Sequence, residues 1–187
     1  MNSKALASRL VSPLKTLRID KARLRFLRNS IIGIAASFIV AIAAVTTFRQ
    51  DYRIGVDLAS VRCLPWRLYM ITYGQPADLK RGDFVAFVPK GGLMGEHFEG
   101  KTVGKMVAGL PGDKLVVKNN VAYIGDRLIG ELDLIEKLGK KSGDFDRVMT
   151  VPAGKILVIG TEPRSYDGRY WGFLDSKLII GKVGPII

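Results

Sequence analysis

A mostly-β domain carried on one N-terminal transmembrane helix is the fold class that three observations predict. The first is "SIIGIAASFIVAIAAVTTF", residues 30–48, nineteen residues without a charge. The second is a series of short strand-like runs from Asp51 onward. The third is the Gly, Pro and Asp punctuation between those runs. No internal repeat or low-complexity tract interrupts the pattern.

The N-terminal run is long enough to cross the hydrocarbon core of a bilayer as a helix. Residues 1–48 hold eight of the Lys and Arg residues and one acid, Asp20, which places +7 of the net +12 in a quarter of the chain. Arg23, Arg25 and Arg28 immediately precede the apolar run, so the positive-inside rule puts the N-terminus in the cytoplasm. The expected organisation is a basic cytoplasmic tail (1–29), a transmembrane helix (30–48) and an extracytoplasmic domain (49–187), with the inner-membrane bilayer as a partner. The small residues of "AIAAVTT" keep a cleaved leader as the alternative. With the charge placed this way, and no aromatic-interleaved basic stripe elsewhere, a nucleic-acid partner is not expected.

The strands follow in order. "RLYMITY" (67–73), "DFVAFVP" (83–89), "TVGKMVA" (102–108), "KLVVKN" (114–119), "VAYIGD" (121–126), "KILVIG" (155–160) and "KLIIGKVGPI" (177–186) have strand composition. "KRGD", "LPGD", "VPAG" and "YDGR" supply turns. The one helical candidate in this part is "IGELDLIEKLGKK" (129–141).

One thiol, Cys63, and one imidazole, His97, cannot build a zinc site, which excludes metal catalysis by a His/Cys cluster. "GEHFEGKT" (95–102) fits the spacing of a phosphate-binding loop. That chemistry needs a helix after the loop, and the strand-like "VGKMVA" follows instead, so no nucleotide is expected. Cys63 precedes Leu64-Pro65, and Pro65 holds Cys63 in an extended backbone. The thiol is either a packed apolar group or a nucleophile, and a Cys63–His97 pair is one chemically sensible dyad. In a strand over 102–108, Lys105 shares a face with Val103 and Val107. Facing inward, it would be a desolvated amine able to act as a base. Pattern alone favours the outward alternative, with Met106 and Ala108 packed inside.

"CLPWRLY", "RGDFVAFVP", "KMVAGLPGDKL", "VPAGKILVIG" and "SYDGRYWG" resemble, in order and spacing, the type I signal peptidases (peptidase S26). The branch they resemble most is the conjugative-transfer, TraF-like pilin-maturation peptidases. The resemblance covers about residues 50–187 and the anchor, and implies a signal-peptidase-like β domain. It further implies a nucleophile at Cys63, where the family usually has serine, and a general base at Lys105, four residues before "GLPGD". Ser165 is then expected to orient the amine, with Asp167 and Arg169 as an ion pair beside it. A thiol titrates near 8.5 and needs far less help than a hydroxyl to become a nucleophile. Two positions depart from the pattern. Met106 stands where arginine usually follows the lysine, and Val61, with Ser60 before it, stands where many members place an oxyanion-binding hydroxyl. The function implied is a membrane-anchored endopeptidase without cofactor, acting on exported or pilin-like precursors with small residues before the cut. The alternative is an inactive relative that binds such peptides within a secretion or pilus assembly.

Overall fold

The computed structural model describes residues 20–58 and 62–186. The chain divides into two units, Met1–Thr46 and Thr47–Ile187. In the first, an α-helix begins that runs over Lys21–Asp51 (α1). The apolar 30–48 segment therefore continues, without a break, a helix that already includes Lys21, Arg23, Arg25 and Arg28. At 1.5 Å per residue its nineteen uncharged residues reach about 28 Å, close to the ~30 Å of a hydrocarbon core. Two of its hydroxyls are satisfied within the helix: Ser37 Oγ donates to the Gly33 carbonyl and Thr46 Oγ1 to that of Ala43, both at 2.9 Å. That internal pairing is what a lipid environment requires.

The second unit is built from two antiparallel sheets. The larger, in the order β1-β2-β11-β3-β4-β9-β10, joins β1 (Tyr52–Val56), β2 (Leu68–Tyr73), β11 (Ile179–Pro185), β3 (Phe84–Phe87), β4 (Val103–Gly109), β9 (Lys155–Ile159) and β10 (Leu174–Asp175). The smaller runs β7 (Arg127–Glu131), β6 (Val121–Ile124), β5 (Lys114–Lys118), β8 (Arg147–Thr150). The β5–β6 hairpin turns on Asn119 and Asn120 at φ 51° and 64°, the left-handed pair that a two-residue hairpin demands.

The chain leaves the larger sheet for the smaller one at "GLPGD". Gly109 has no room for a side chain, since a Cβ would meet Ile124 at 3.1 Å and Leu157 at 3.2 Å, and the β4–β9 register shifts there. Asp113 holds the turn by accepting the Leu110 N–H at 2.8 Å and the Arg81 guanidinium through both oxygens. Leu115, Val117, Ala122, Leu132, Ile135 and Leu157 form the core that joins the small sheet to β9. A second core gathers Phe87, Val103, Val107, Ile156 and Val158, and a third Leu64, Ile71, Ala86 and Val183.

The helical candidate over 129–141 is not a helix. Its first residues are β7, paired with β6, and only one 3-10 turn follows at Glu136–Leu138, closed by Gly139 at φ 64°. Gly130, at φ 134°, is incompatible with helix, while Leu132, Leu134 and Ile135 are buried in a core made by non-local neighbours.

Candidate active site

Three segments converge on one amine. Lys105 lies on β4 between Val103 and Val107, all three facing inward, and the lysine is completely buried. The outward orientation that pattern alone favours is thus overturned. Met106 is the half-buried residue, packed against the core on the other side.

Cys63 is brought to Lys105 by the residues that follow it. Leu64 is buried, and it fits because Gly104 has no side chain: a Cβ there would lie 2.8 Å from Leu64 Cδ1. Trp66 packs edge-on against Phe84 of β3, with ring centroids 4.7 Å apart. "CLPW" is therefore anchored across β3 and β4, and the Cys63 carbonyl accepts the Thr161 N–H at 3.2 Å. The half-buried thiol ends 2.9 Å from Lys105 Nζ, which donates to it.

Ser165 is the third member. Lys105 Nζ donates to Ser165 Oγ at 2.5 Å, and Ser165 Oγ is 3.7 Å from Cys63 Sγ. The loop carrying Ser165 is fixed by Asp167 and Arg169, both buried. Arg169 Nε and Nη2 donate to the two Asp167 oxygens at 2.9 Å each. Asp167 also accepts the Gly160 N–H at 2.8 Å and that of Arg169 at 3.1 Å, which caps the short helix α2 (Gly168–Trp171). Arg169 reaches further, to the carbonyls of Glu131 (2.6 Å), Pro163 (3.1 Å) and Ser165 (3.3 Å). Burial opposes its charge, and the hydrogen bond and attraction of Asp167 outweigh that, holding the guanidinium above its ordinary value.

Sequence reasoning missed four supporting positions. Gly160 directly follows β9, where a Cβ would fall 2.1 Å from Ser165 Oγ. At Gly130 a Cβ would fall 2.8 Å from Arg169 Nη1. Arg147 of β8 donates to the carbonyls of Tyr170 and Arg169 at 3.0 and 2.9 Å, and burial pushes its guanidinium down. Thr161 contributes through its backbone alone, which leaves no trace in residue type. The only signal for Gly160 was its place at the end of a strand-like run, and Gly130 lay hidden inside the helical candidate.

His97 stands apart from this cluster. It is exposed in a 3-10 turn (Glu96–Phe98), with Lys101 Nζ at 3.4 Å from its ring nitrogen and Phe98 against its ring. The phosphate-loop match also dissolves. β4 begins directly after it, and Glu99 turns its carboxylate back onto the Gly92 N–H at 2.5 Å. Ser60 and Val61 lie outside the described residues. Among those described, no group of three His, Cys, Asp or Glu side chains is arranged to hold a metal.

The fold and this cluster define a mostly-β protein that holds a thiol, a buried amine and a hydroxyl in mutual contact, the groups that nucleophilic acyl transfer employs. The chain belongs to the S26 signal peptidases: the family model described as "Signal peptidase, peptidase S26" matches residues 27–187. Among curated relatives, it is 29% identical over 106 residues to a probable signal peptidase I-2 of Synechocystis, covering 56% of this chain and 46% of that one. It is 37% identical over 90 residues to a signal peptidase I of Bacillus caldolyticus, covering 42% of this chain and 50% of the relative. The chain spans about half the length of the curated relatives it matches. A signal peptidase I structure from Enterococcus faecalis aligns with 27% identity and a TM-score of 0.37, covering 56% of this chain and 96% of that one.

Proposed function

We propose that the protein is a membrane-anchored endopeptidase that removes leader peptides from exported precursors, with Cys63 as nucleophile and Lys105 as general base. The observation that carries this reading is the 2.9 Å approach of a fully buried amine to the chain's single thiol. Lys105 Nζ takes the thiol proton as Sγ attacks the scissile carbonyl, and returns it to the departing amine. Ser165 holds Nζ in position, and the backbone N–H of Cys63 faces the developing oxyanion. Water then hydrolyses the thioester. Asp167 and Arg169 position the loop that carries Ser165.

The substrate class is a pilin-like precursor of a conjugation system, with small residues before the cut; the five sequence blocks that resemble the TraF-like branch support this. Helix α1 is the anchor, with the N-terminus in the cytoplasm and the domain from residue 49 outside. The basic residues before the apolar run support that orientation.

The test is cleavage of a pilin-like precursor by the detergent-solubilised full chain. Cys63→Ala should abolish it. Lys105→Met should lower it by about 10²–10⁴-fold, the usual contribution of a positioned general base. His97→Ala should leave it within a few-fold of wild type. Loss in the histidine variant, or retained cleavage in Cys63→Ala, would reject the dyad. Reporter fusions after Tyr52 should read extracytoplasmic, and a cytoplasmic signal would reverse the topology.

A further inference from the structure

The same pair of atoms has a second chemistry that a serine enzyme lacks. Lys105 Nζ is fully buried and held 2.9 Å from Cys63 Sγ, with Ser165 Oγ 3.7 Å from that sulfur. The thiol is half-buried, so a small oxidant can reach it. An oxidised cysteine is normally rescued by condensing with a second thiol, and this chain has none. The nearest nucleophile to Sγ is a nitrogen.

We propose that the Cys63–Lys105 pair is a peroxide-sensitive modification site that closes into a covalent sulfur–nitrogen cross-link. In the first step the Cys63 thiolate attacks hydrogen peroxide. The O–O bond breaks, a sulfenic acid forms, and hydroxide leaves, taking as water the proton that Lys105 had received from the thiol, so the amine is left neutral; sulfur gives up two electrons and the peroxide is reduced. In the second step the lone pair of the neutral Lys105 amine attacks the sulfenic sulfur. The N–S bond forms, the S–O bond breaks, and the hydroxyl leaves as water with one amine proton. The product is a sulfenamide, two hydrogen atoms lighter than the reduced protein. A thiol reductant reverses it: it attacks sulfur, returns the amine to Lys105, and a second equivalent frees Cys63 from the mixed disulfide.

The geometry favours this outcome over deeper oxidation. Lys105 has no exposed surface and its polar partners are Cys63 and Ser165, so the amine is already at the sulfur when the sulfenic acid forms. Condensation is intramolecular, whereas further oxidation needs another peroxide to arrive. The cross-link would protect the thiol from irreversible acids and silence both groups together.

The experiment treats the solubilised full chain with hydrogen peroxide and follows it by intact-mass and peptide mass spectrometry. The expected result is a species lighter by two hydrogens, with the peptides containing Cys63 and Lys105 joined, and reversion to the starting mass with a thiol reductant. Lys105→Gln should instead accumulate sulfenic and higher acids under the same conditions. Wild-type protein that passes directly to sulfinic or sulfonic acid would overturn the proposal. So would a cross-link to any amine other than Lys105, or a species bridged through a retained oxygen. The readout is a mass, so it stands whether or not the precursor-cleavage reading survives.

Discussion

Alanine at Gly160 adds one methyl group at the point where the proposed base and its hydroxyl partner meet. A Cβ built there lies 2.1 Å from Ser165 Oγ, 2.4 Å from Ser165 Cβ and 3.4 Å from Lys105 Nζ. Gly160 is not among the glycines with positive φ, so the substitution is steric rather than a backbone conflict. Ser165 is buried, with its loop tied to Arg169, and it has to be displaced on the order of 1 Å, enough to cost about 10²-fold in a positioned catalytic group. Overpacking of this kind destabilises by about 1–3 kcal/mol. Gly160→Ala should therefore reduce precursor cleavage by roughly 10²-fold while the domain stays folded. Iodoacetamide alkylation of Cys63 should change rate as well, because the amine moves with its partner. Adding Ser165→Gly removes both overlapping atoms, so the double variant should recover the lost thermal stability but not the activity. A Gly160→Ala protein with wild-type melting, alkylation and cleavage would refute the placement of Ser165 against Gly160.

The buried ion pair gives a larger stability effect. Asp167→Asn or Arg169→Met leaves one buried charge uncompensated, which should cost about 3–5 kcal/mol, read as a drop of roughly 10 °C or more in melting temperature. Acid stability should depend on Asp113: the Arg81 hydrogen bond, with the Leu110 N–H and the Arg81 charge, holds its carboxyl below the ordinary value. The stabilisation is then complete above the unfolded value of about 3.9 and is lost as pH falls through the lower folded value. Asp113→Asn should flatten the low-pH limb of a melting-temperature profile, and an unchanged limb would remove Asp113 from that role. Lys101→Ala should leave cleavage within a few-fold of wild type and reveal no ATP binding to lose; nucleotide binding that vanishes in this variant would restore the phosphate-loop reading.

Period and punctuation disclosed the seven strand-like runs because each is a local property. β1, β7, β8 and β10 escaped notice for a physical reason. Each is short, contains glycine or charge, and is a strand only because a neighbour pairs with it, as Gly130 and Leu128 do with β6. The run over 129–141 looked helical because Leu132, Leu134 and Ile135 are apolar, and their burial comes from Tyr170, Leu157 and the small sheet rather than from a helix face. At the site, residue type named Cys63 and Lys105 as candidates, while the resemblance supplied Ser165, Asp167 and Arg169. Alternation placed Lys105 with two valines but could not say which face was inside. That depended on β3 and β9 flanking β4, a fact of topology.

The division of charge within the cluster explains why a buried lysine is left facing sulfur. The acid of the "SYDGR" block, Asp167, does not pair with the amine. Instead both its oxygens are committed to Arg169, and one also accepts the Gly160 N–H. Among the described residues Lys105 makes no ion pair, and its partners are a thiol and a hydroxyl. A carboxylate at Nζ would fix the proton on nitrogen and take the amine out of proton transfer. Arg169 occupies the carboxylate, and through the Ser165 carbonyl it ties down the loop that carries the amine's second partner. In the proposed mechanism the ion pair then has two roles: it engages the negative charge and fixes the hydroxyl that aims the amine. An Asp167→Asn protein has no carboxylate to bring to the amine, and its side-chain oxygen can still accept from the Gly160 N–H. Arg169→Met removes the guanidinium from the carboxylate and leaves it charged, held only by the N–H groups of Gly160 and residue 169. If the division of charge is what leaves the amine available, Arg169→Met should depress Cys63 alkylation and cleavage more than Asp167→Asn does at equal loss of stability.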